Sequence, residues 1–373
     1  MLPHRRILLI RLSHLGDVVH ALPVFHALRA AHPSAEIAWA VQPEFAGLLE
    51  GLPGLARIFR FERRKGVAAW IPFLSAIRGW HPDWAVDAQG NAKSAMATIG
   101  SGAKRRTGLH PQDWREPFAA RVLTEHAAPT RGEVPHAMDR MLSLARFVAF
   151  DRELLRADPA LSESELEAGR ARLASLLGDR DGPVVILHLS APPDVRAWPV
   201  GHFETLARAL DEGGDRVLVL SGPQEEEEGR ALARQMSGVP RVRHAVGQRG
   251  LRELAALFAA ARDRGGRILC CDTGPMHLAA ALALPVVCLA GPQDARRTGP
   301  WPLPGGPDAL HAVLRAPDPP ACAPCLARRC THPEGAVCMS RIRPEAALRT
   351  LLQEAGASRR GREPSSYGTE LLR

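Results

Sequence analysis

The feature that most constrains this chain is a repeated alternation of short apolar runs, glycine-containing turns and helical segments. A buried strand is predicted at Ile7–Leu12, followed by the loop Ser13–Gly16 and a helix from Asp17 to about Ala31. A second strand is predicted at Glu36–Val41, and another strand, turn and helix begin at Trp84. This alternation is typical of a parallel sheet covered by helices on both faces.

A second series of the same kind begins after the polar stretch 158–181. The chain has 373 residues, more than one hydrophobic core usually supports. We therefore predict an α/β protein of two doubly wound, Rossmann-like domains, residues 1–165 and 166–356, with 357–373 as a flexible tail. Such sheets bind ligands at the carboxyl ends of their strands. Two of them facing each other would hold a donor and an acceptor across a cleft.

Positive charge is concentrated in the N-terminal part of the chain. Residues 1–156 contain 21 Lys and Arg against 14 Asp and Glu, whereas residues 157–373 contain 27 against 26. This asymmetry favours an anionic partner for the first domain, such as a nucleic acid, a phospholipid surface or an acidic glycan. A surface that only keeps the protein in solution explains the charge equally well.

The apolar runs are too short to suggest a membrane span or a secretion signal. The run that begins at Ile7 is interrupted by Arg11, and no later run approaches the length needed to cross a bilayer. We therefore expect a cytoplasmic protein without a transmembrane segment. Its seven cysteines are expected to be reduced or metal-bound rather than paired in disulfides.

A phosphate site is predicted where an apolar strand ends at Asp272 and a helix begins. Backbone N–H groups at a helix start and the positive end of the helix dipole favour an anion. Gly274 lets a ligand approach the backbone closely, and His277 could add a hydrogen-bond donor. The alternative is that Asp272 and Thr273 merely cap the helix.

Five ordered motifs resemble those of glycosyltransferase family nine, the heptosyltransferase family. They are Arg11–Pro23 (RLSHLGDVVHALP), Asp87–Ala95 (DAQGNAKSA), Val195–Pro199 (VRAWP), Gly222–Glu227 (GPQEEE) and Cys271–Ala281 (CDTGPMHLAAA). The resemblance covers roughly residues 5–300. It implies the two-domain GT-B fold and a transfer that inverts the anomeric carbon, with Asp17 as the catalytic base. An ionised carboxylate at a helix start suits that task, although Asp17 could also be only a helix cap.

The resemblance also implies a donor site in the second domain. Arg196 stands where the family usually has a Lys that holds the donor diphosphate, and Glu225 matches the carboxylate expected on the nucleotide ribose. Ser190 corresponds to a hydroxyl of the phosphate site, and Asp272, Thr273, Gly274 and His277 complete the predicted donor-binding set. The alternative for Glu225 is a solvated acidic face at a helix start.

The acceptor site is predicted from charge. Basic side chains of the first domain are expected to bind carboxylates and phosphates of a lipid-anchored acidic sugar; they are Arg11, Arg63, Arg64, Lys65, Lys93 and Arg115. For any one of them, a plain surface cation is the competing interpretation.

Four cysteines near the C-terminus have a spacing similar to that of a structural zinc site. They are Cys322, Cys325, Cys330 and Cys338, with one CxxC pair and a second pair that is split. Reduced structural thiols or a redox-sensitive pair are the alternatives. No cofactor is expected for the chemistry itself.

The resulting hypothesis is an enzyme that moves a heptose from ADP-L-glycero-D-manno-heptose to an inner-core lipopolysaccharide acceptor, either Kdo-lipid A or heptosylated core. Such an enzyme would be peripherally associated with the cytoplasmic face of the inner membrane. The alternatives are a glycosyltransferase that uses another nucleotide sugar, or a non-catalytic basic module that binds nucleotides or nucleic acid. No nucleic-acid motif supports the last alternative, and the basic residues lack interleaved aromatics.

Overall fold

The computed structural model describes residues 5–149, 157–178, 182–302 and 310–358. The chain divides into two compact units, residues 1–161 and 162–373. The domain boundary predicted after residue 165 falls within the helix Glu163–Leu177, which belongs as a whole to the second unit. The predicted flexible tail, 357–373, lies almost entirely outside the described residues.

The first unit contains a six-stranded parallel sheet in the order β3-β2-β1-β4-β5-β6. Its strands are β1 Arg6–Ile10, β2 Glu36–Val41, β3 Leu55–Arg60, β4 Trp84–Asp87, β5 Arg105–Gly108 and β6 Glu125–His126. Its α-helices are α1 Leu15–Ala31, α2 Pro43–Leu49, α3 Trp70–Gly79, α4 Ala92–Gly100 and α5 Ala137–Val148. Short 3-10 helices occupy Arg63–Ala69, Pro111–Asp113 and Pro117–Val122.

Two helical layers cover this sheet. Phe73 and Ile77 of α3 and Ala97 of α4 pack with Leu8 and Ile10 in one buried cluster. Because side chains alternate along a strand and crossovers between parallel strands are right-handed, α1 and the α5 helix packed against it lie on the opposite face. The first unit is therefore doubly wound.

The second unit repeats this arrangement with the order β12-β11-β10-β7-β8-β9. Its strands are β7 Val184–His188, β8 Arg216–Leu220, β9 Val242–Ala245, β10 Arg267–Cys271, β11 Val286–Leu289 and β12 Ala312–Leu314. Its helices are α6 Glu163–Leu177, α7 Val200–Glu212, α8 Glu226–Gln235, α9 Leu251–Asp263, α10 Gly274–Ala281, α11 Ala295–Thr298, α12 Val337–Ser340 and α13 Pro344–Ser358, with a 3-10 turn at Pro223–Glu225.

Both sheets have the same topology. Counted within each unit, the strand order is 3-2-1-4-5-6 in both, so the direction of winding reverses between the first and fourth strands. The reversal lies between β1 and β4 in the first unit and between β7 and β10 in the second. Ligands of doubly wound sheets bind outside the carboxyl ends of the strands at such a switch point.

Candidate functional site

The first switch point carries Asp17 in the first turn of α1. Its carboxylate lies 2.6 Å from Nη2 of Arg11 and 3.5 Å from Nδ1 of His14. The first residue before the helix is His14, and no side chain caps the helix start. The alternative that Asp17 is only a cap is therefore not supported, because the carboxylate is used in an ion pair.

Electrostatics keep Asp17 ionised. Burial opposes the charge, but the Arg11 guanidinium, with His14 and His20 nearby, outweighs burial and lowers the pKa of the carboxyl well below its usual range. About a third of the Asp17 side chain is exposed, against 11% for Arg11. The pair therefore presents its carboxylate to solvent and keeps its cation underneath.

Arg11 also ties Asp17 to the turn that follows β4. Its second terminal nitrogen donates to the Ala88 carbonyl, and the side chain of Gln89 accepts from the backbone N–H of Leu12. Arg11 is thus not one of the exposed cations. Its contact with an acceptor stays a prediction, and its burial does not favour such a contact.

Asp87 organises the same turn from inside the protein. It is fully buried, and one of its oxygens accepts 2.9 Å hydrogen bonds from the N–H groups of both Gln89 and Gly90. The other oxygen accepts from the Thr98 hydroxyl at 3.1 Å. Burial outweighs these bonds and raises the pKa of Asp87. Gly90 has φ +72°, so the turn requires a residue tolerant of the left-handed region.

The other predicted acceptor cations lie on exposed positions of the same unit. Arg63, Arg64 and Lys65 form the start of the 3-10 helix after β3, and Arg64 lies 3.2 Å from Glu44. Lys93 is in the first turn of α4, and the backbone N–H of Arg115 donates to the Gly90 carbonyl. Lys93 and Arg115 are therefore beside the Asp87 turn, whereas the 63–65 run follows β3, two strands from β1.

The predicted donor residues follow three adjacent strands of the second unit. Ser190 and Arg196 come after β7, Glu225 comes after β8, and Asp272 comes directly after β10. The order of these strands is β10-β7-β8, so all three carboxyl ends meet at one edge of the sheet.

Arg196 bridges the two strands of this switch point. Its Nη1 donates to the Asp272 carbonyl at 2.9 Å, and its other nitrogens bind the carboxylate of Asp194 at 2.5 to 3.1 Å. The Arg196 side chain is 35% exposed, about as much as its partner. An arginine placed in this way can bind a phosphate without leaving the edge of the sheet.

Asp272 is buried but has few hydrogen bonds. Its Oδ2 accepts from the Thr298 hydroxyl at 2.8 Å, and its Oδ1 lies 3.7 Å from Nε2 of His277. Burial, opposed by Thr298 and Arg196, raises the pKa of Asp272 to about 6. Thr273 precedes α10 without capping it, since its hydroxyl is directed to the Cys271 carbonyl. The capping alternative is therefore not supported here either.

Glu225 and Ser190 differ in their access to solvent. Glu225 lies at the start of α8, does not cap it, and has a pKa raised by burial and by the neighbouring Asp194. In the part of the chain that the structure describes it forms no ion pair, unlike Glu226, which pairs with Arg230 and Arg249. Ser190 is buried and hydrogen-bonded to the Cys271 thiol.

The C-terminal cysteines surround one small cavity. Cys322, Cys325, Cys330 and Cys338 line a space of about 20 Å³ together with His332. Cys338 is buried, and the nearby thiols add to burial in raising its pKa. Among residues 5–149, 157–178, 182–302 and 310–358, however, no three His, Cys, Asp or Glu side chains are arranged to hold a metal ion.

Sequence reasoning missed two polar partners of the donor residues. Asp194 holds Arg196 in place, and Thr298 donates to Asp272. Asp194 had a local signal, because an aspartate two residues before an arginine can bind both its backbone and its side chain. Thr298 had none, since it comes from another segment.

Comparison with known proteins identifies the family. Residues 71–306, more than half of the chain, match the sequence model described as glycosyltransferase family 9 (heptosyltransferase). Lipopolysaccharide heptosyltransferase 1 of Pseudomonas aeruginosa is 29% identical over 340 residues, covering 88% of each chain. The protein of the same name from Escherichia coli K12 is 28% identical over 330 residues, covering 84% of this chain and 94% of its own.

Solved structures confirm the fold class. "E. coli heptosyltransferase WaaC with ADP" superimposes with a TM-score of 0.70 at 24% identity, covering 94% of this chain and 99% of that chain. A glycosyltransferase family 9 protein from Veillonella parvula gives a TM-score of 0.72 at 20% identity, covering 95% and 99%. The predicted α/β architecture of two doubly wound units, the GT-B class, is therefore confirmed.

Proposed function

This chain belongs to glycosyltransferase family 9, the heptosyltransferase family, and on that basis we propose that it transfers a heptose from ADP-L-glycero-D-manno-heptose to inner-core lipopolysaccharide. The observation that carries the proposal is the content of the two switch points. One presents an ionised carboxylate without a capping role, and the other presents an arginine, an uncapped helix start and a buried acid. These are the parts that a transfer from a sugar diphosphate requires.

The donor is assigned to the second unit. Arg196 and the N–H groups at the start of α10 suit the diphosphate, with His277 as a further donor. Glu225, at the carboxyl end of the neighbouring strand, suits the vicinal hydroxyls of a ribose. The heptosyltransferase WaaC of E. coli was solved with ADP, which supports an adenine nucleotide as the ligand.

The reaction assigned to Asp17 is a direct displacement. The acceptor hydroxyl oxygen bonds to the anomeric carbon as the bond from that carbon to the diphosphate breaks, and Asp17 takes the hydroxyl proton. ADP leaves with the electron pair, and attack from the face opposite the diphosphate inverts the anomeric configuration. Its lowered pKa makes Asp17 a weak base. Such a base suffices when the sugar carbon is strongly cationic in the transition state, because the attacking hydroxyl becomes acidic as its bond forms.

No metal ion is assigned to the chemistry. Charge that develops on the leaving diphosphate is matched by Arg196, by His277 and by backbone N–H groups, which stabilise an anion without a cation cofactor. Transfer should therefore continue in the presence of a chelator at the rate measured without it.

The acceptor is assigned to the exposed cations of the first unit, with Kdo-lipid A as the first substrate to test. The heptosyltransferase 1 proteins of Pseudomonas aeruginosa and Escherichia coli K12 are 29% and 28% identical to this chain, whereas the Escherichia coli protein named heptosyltransferase 2 is 24% identical and the Campylobacter coli protein named heptosyltransferase 1 is 22% identical. A lipid-anchored acceptor places the enzyme on the cytoplasmic face of the inner membrane as a peripheral protein. No helix among the described residues is long and apolar enough to cross a membrane.

The deciding experiment is a transfer assay with purified protein. ADP-heptose, GDP-mannose and UDP-glucose are offered with Kdo-lipid A and with heptosylated core, and products are identified by mass spectrometry. We expect ADP release and a heptosylated Kdo-lipid A from the first pair only. Transfer from another nucleotide sugar would support the second candidate, a related glycosyltransferase. Salt-dependent DNA binding without transfer from any donor would favour a non-catalytic module instead.

We also propose that the four C-terminal cysteines hold a structural zinc ion after a rearrangement of their side chains, since no three of them are grouped for a metal ion among the described residues. They line one cavity. Burial and the nearby thiols raise the pKa of Cys338, and a divalent cation would favour its thiolate. Purified protein should then contain about one zinc per chain, and chelation should lower the thermal stability of the second unit without abolishing ADP binding. Metal-free protein with four rapidly modified thiols in the folded state would refute the site.

A further inference from the structure

One surface of the first unit exposes several large apolar side chains. Of the described residues, the exposed large hydrophobic ones of this unit include Val67 at 86%, Ile71 at 79% and Phe118 at 68%, together with Met96 and Ile99. They lie on the Arg63–Ala69 3-10 helix, on α3, on α4 and on the Pro117–Val122 3-10 helix. We call these five residues the apolar face. Single exposed apolar residues are ordinary, but a group on neighbouring elements marks an interaction surface.

The elements that carry the apolar face pack side by side. The helices α3 and α4 cover the same face of the sheet, where Phe73, Ile77 and Ala97 share one buried cluster. A methyl group added to Gly100 of α4 would come within 2.6 Å of Leu74 of α3, so the two helices touch there. Ile71 is one turn before Leu74, and Ile99 is next to Gly100. The Pro117–Val122 helix in turn contacts α4.

The surroundings of the apolar face are basic. The segments 63–79 and 88–112, which include α3 and α4, contain no Asp or Glu. Exposed cations stand at both ends of these segments and on the neighbouring 3-10 helix: Arg63, Arg64, Lys65, Arg78, Lys93, Lys104, Arg115 and Arg121. Two carboxylates lie close by, since Arg64 is 3.2 Å from Glu44 and Arg115 is 3.5 Å from Glu116, but the cations outnumber them. A predominantly basic layer with exposed apolar side chains matches a surface that is apolar inside and anionic outside.

We propose that the apolar face docks this protein onto an anionic phospholipid bilayer, with Val67, Ile71 and Phe118 entering the interface. Three exposed cations that the acceptor site does not use, Arg78, Lys104 and Arg121, then bind lipid phosphates. Cations near an anionic leaflet and buried apolar side chains act together in interfacial binding. A nucleic acid would not require the exposed apolar side chains, and a protein partner would not require the excess of cations. The biological purpose of this docking rests on the proposed function, because a lipid-anchored acceptor must be met at the membrane.

The test compares matched variants for binding to vesicles. Ile71→Asp and Phe118→Asp remove two exposed members of the apolar face. The control is Phe147→Asp, an exposed aromatic on α5 in the opposite helical layer. Each protein is sedimented with vesicles of phosphatidylcholine alone and of phosphatidylcholine with phosphatidylglycerol. Circular dichroism melting establishes that each variant is folded.

We expect the unmodified protein and Phe147→Asp to bind the anionic vesicles, with binding weakened by salt. Each substitution on the apolar face should weaken vesicle binding on the order of tenfold, the value of one buried apolar side chain. Transfer to a deacylated, water-soluble acceptor should be unchanged. Equal vesicle binding by all variants, or loss of self-association instead of vesicle binding in Ile71→Asp, would overturn the proposal. Vesicle binding needs no sugar donor, so its result is independent of the proposed transfer activity.

Discussion

The two units have the same ion-pair arrangement at their switch points but differ in which partner of the pair is exposed. In each, the loop after the first strand contains an Arg–Asp ion pair, Arg11 with Asp17 or Arg196 with Asp194. In each, the arginine donates to a backbone carbonyl at the end of the fourth strand, Ala88 or Asp272. The first unit buries the cation and exposes the carboxylate, whereas the second exposes both partners about equally.

The buried acid at the end of the fourth strand also differs between the units. Among the described residues, Asp87 accepts hydrogen bonds from Gln89, Gly90 and Thr98 and organises a turn, whereas Asp272 accepts one from the Thr298 hydroxyl and has His277 at 3.7 Å. The acid of the first unit is thus held by more protein hydrogen bonds than the acid of the second, and Arg196 is more exposed than Arg11. These differences support the proposal that the first unit accepts a proton and that the second binds a phosphate and a sugar.

Asp17→Asn should have the largest effect on activity. Asn has the size of Asp but cannot accept the acceptor's proton, so transfer should slow by about a hundred- to ten-thousand-fold. ADP-sugar affinity, measured by calorimetry, should remain near native. The stability loss should be only about 1 kcal/mol, because the Asp17–Arg11 pair is partly exposed to solvent.

The matched control is Asp194→Asn, which alters the corresponding ion pair of the second unit. It should change donor affinity much more than the rate of the transfer step. If Asp17→Asn transfers at the native rate, the base must be sought elsewhere. Asp87 and Asp113 are poor substitutes, because the first is saturated with hydrogen bonds and the second is bound to Thr130 and Arg140.

Arg196→Ala should weaken ADP binding by about ten- to a hundred-fold, and His277→Ala should weaken it by about tenfold. In both variants hydrogen bonds to a phosphate are lost, and those of Arg196 are charge-assisted. Titration calorimetry with ADP measures both. Arg11→Ala serves as the comparison in the first unit and should leave ADP affinity unchanged. Native affinity in both second-unit variants would move the donor site away from the β7–β10 switch point.

The sequence predicts the fold class and several strand ends, although β1 ends at Ile10 and not at the predicted Leu12. It does not predict which side chains from distant segments bond to one another. Asp272, Thr273 and Gly274 were predicted at a strand end and helix start, and β10 and α10 meet there. Such a junction can be predicted because the spacing of apolar residues is a local property of the sequence.

Partnerships between distant segments were not predictable in the same way. Thr298 reaches Asp272 across 26 residues, and Arg11 reaches Ala88 across 77. Nothing in the local pattern around Arg11 distinguishes a buried partner of Asp17 from an exposed cation. Only the parallel pairing of β1 with β4 brings these residues together.

The smallest expected effect is on the stability of the protein. It also gives the sharpest comparison of the two buried acids, Asp272 and Asp87. The pKa of Asp272 is raised to about 6, against an ordinary value near 4, so the folded state binds its proton more tightly than the unfolded state. Its ionisation therefore costs stability as pH rises from about 4 to about 6, and the cost is complete above that window. Asp272→Asn removes this cost and should stabilise the protein at pH 7.5 on the order of 1–3 kcal/mol. At pH 4 the two proteins should have nearly equal stability, because Asp272 is then protonated when folded.

Asp87→Asn should instead destabilise the protein by about 1–3 kcal/mol at pH 7.5, since an amide cannot accept all three hydrogen bonds made by the two carboxylate oxygens. Urea unfolding at the two pH values measures both variants. A destabilised Asp272→Asn at pH 7.5 would show that Asp272 is held as firmly as Asp87, and the distinction between a structural acid and an available one would fail.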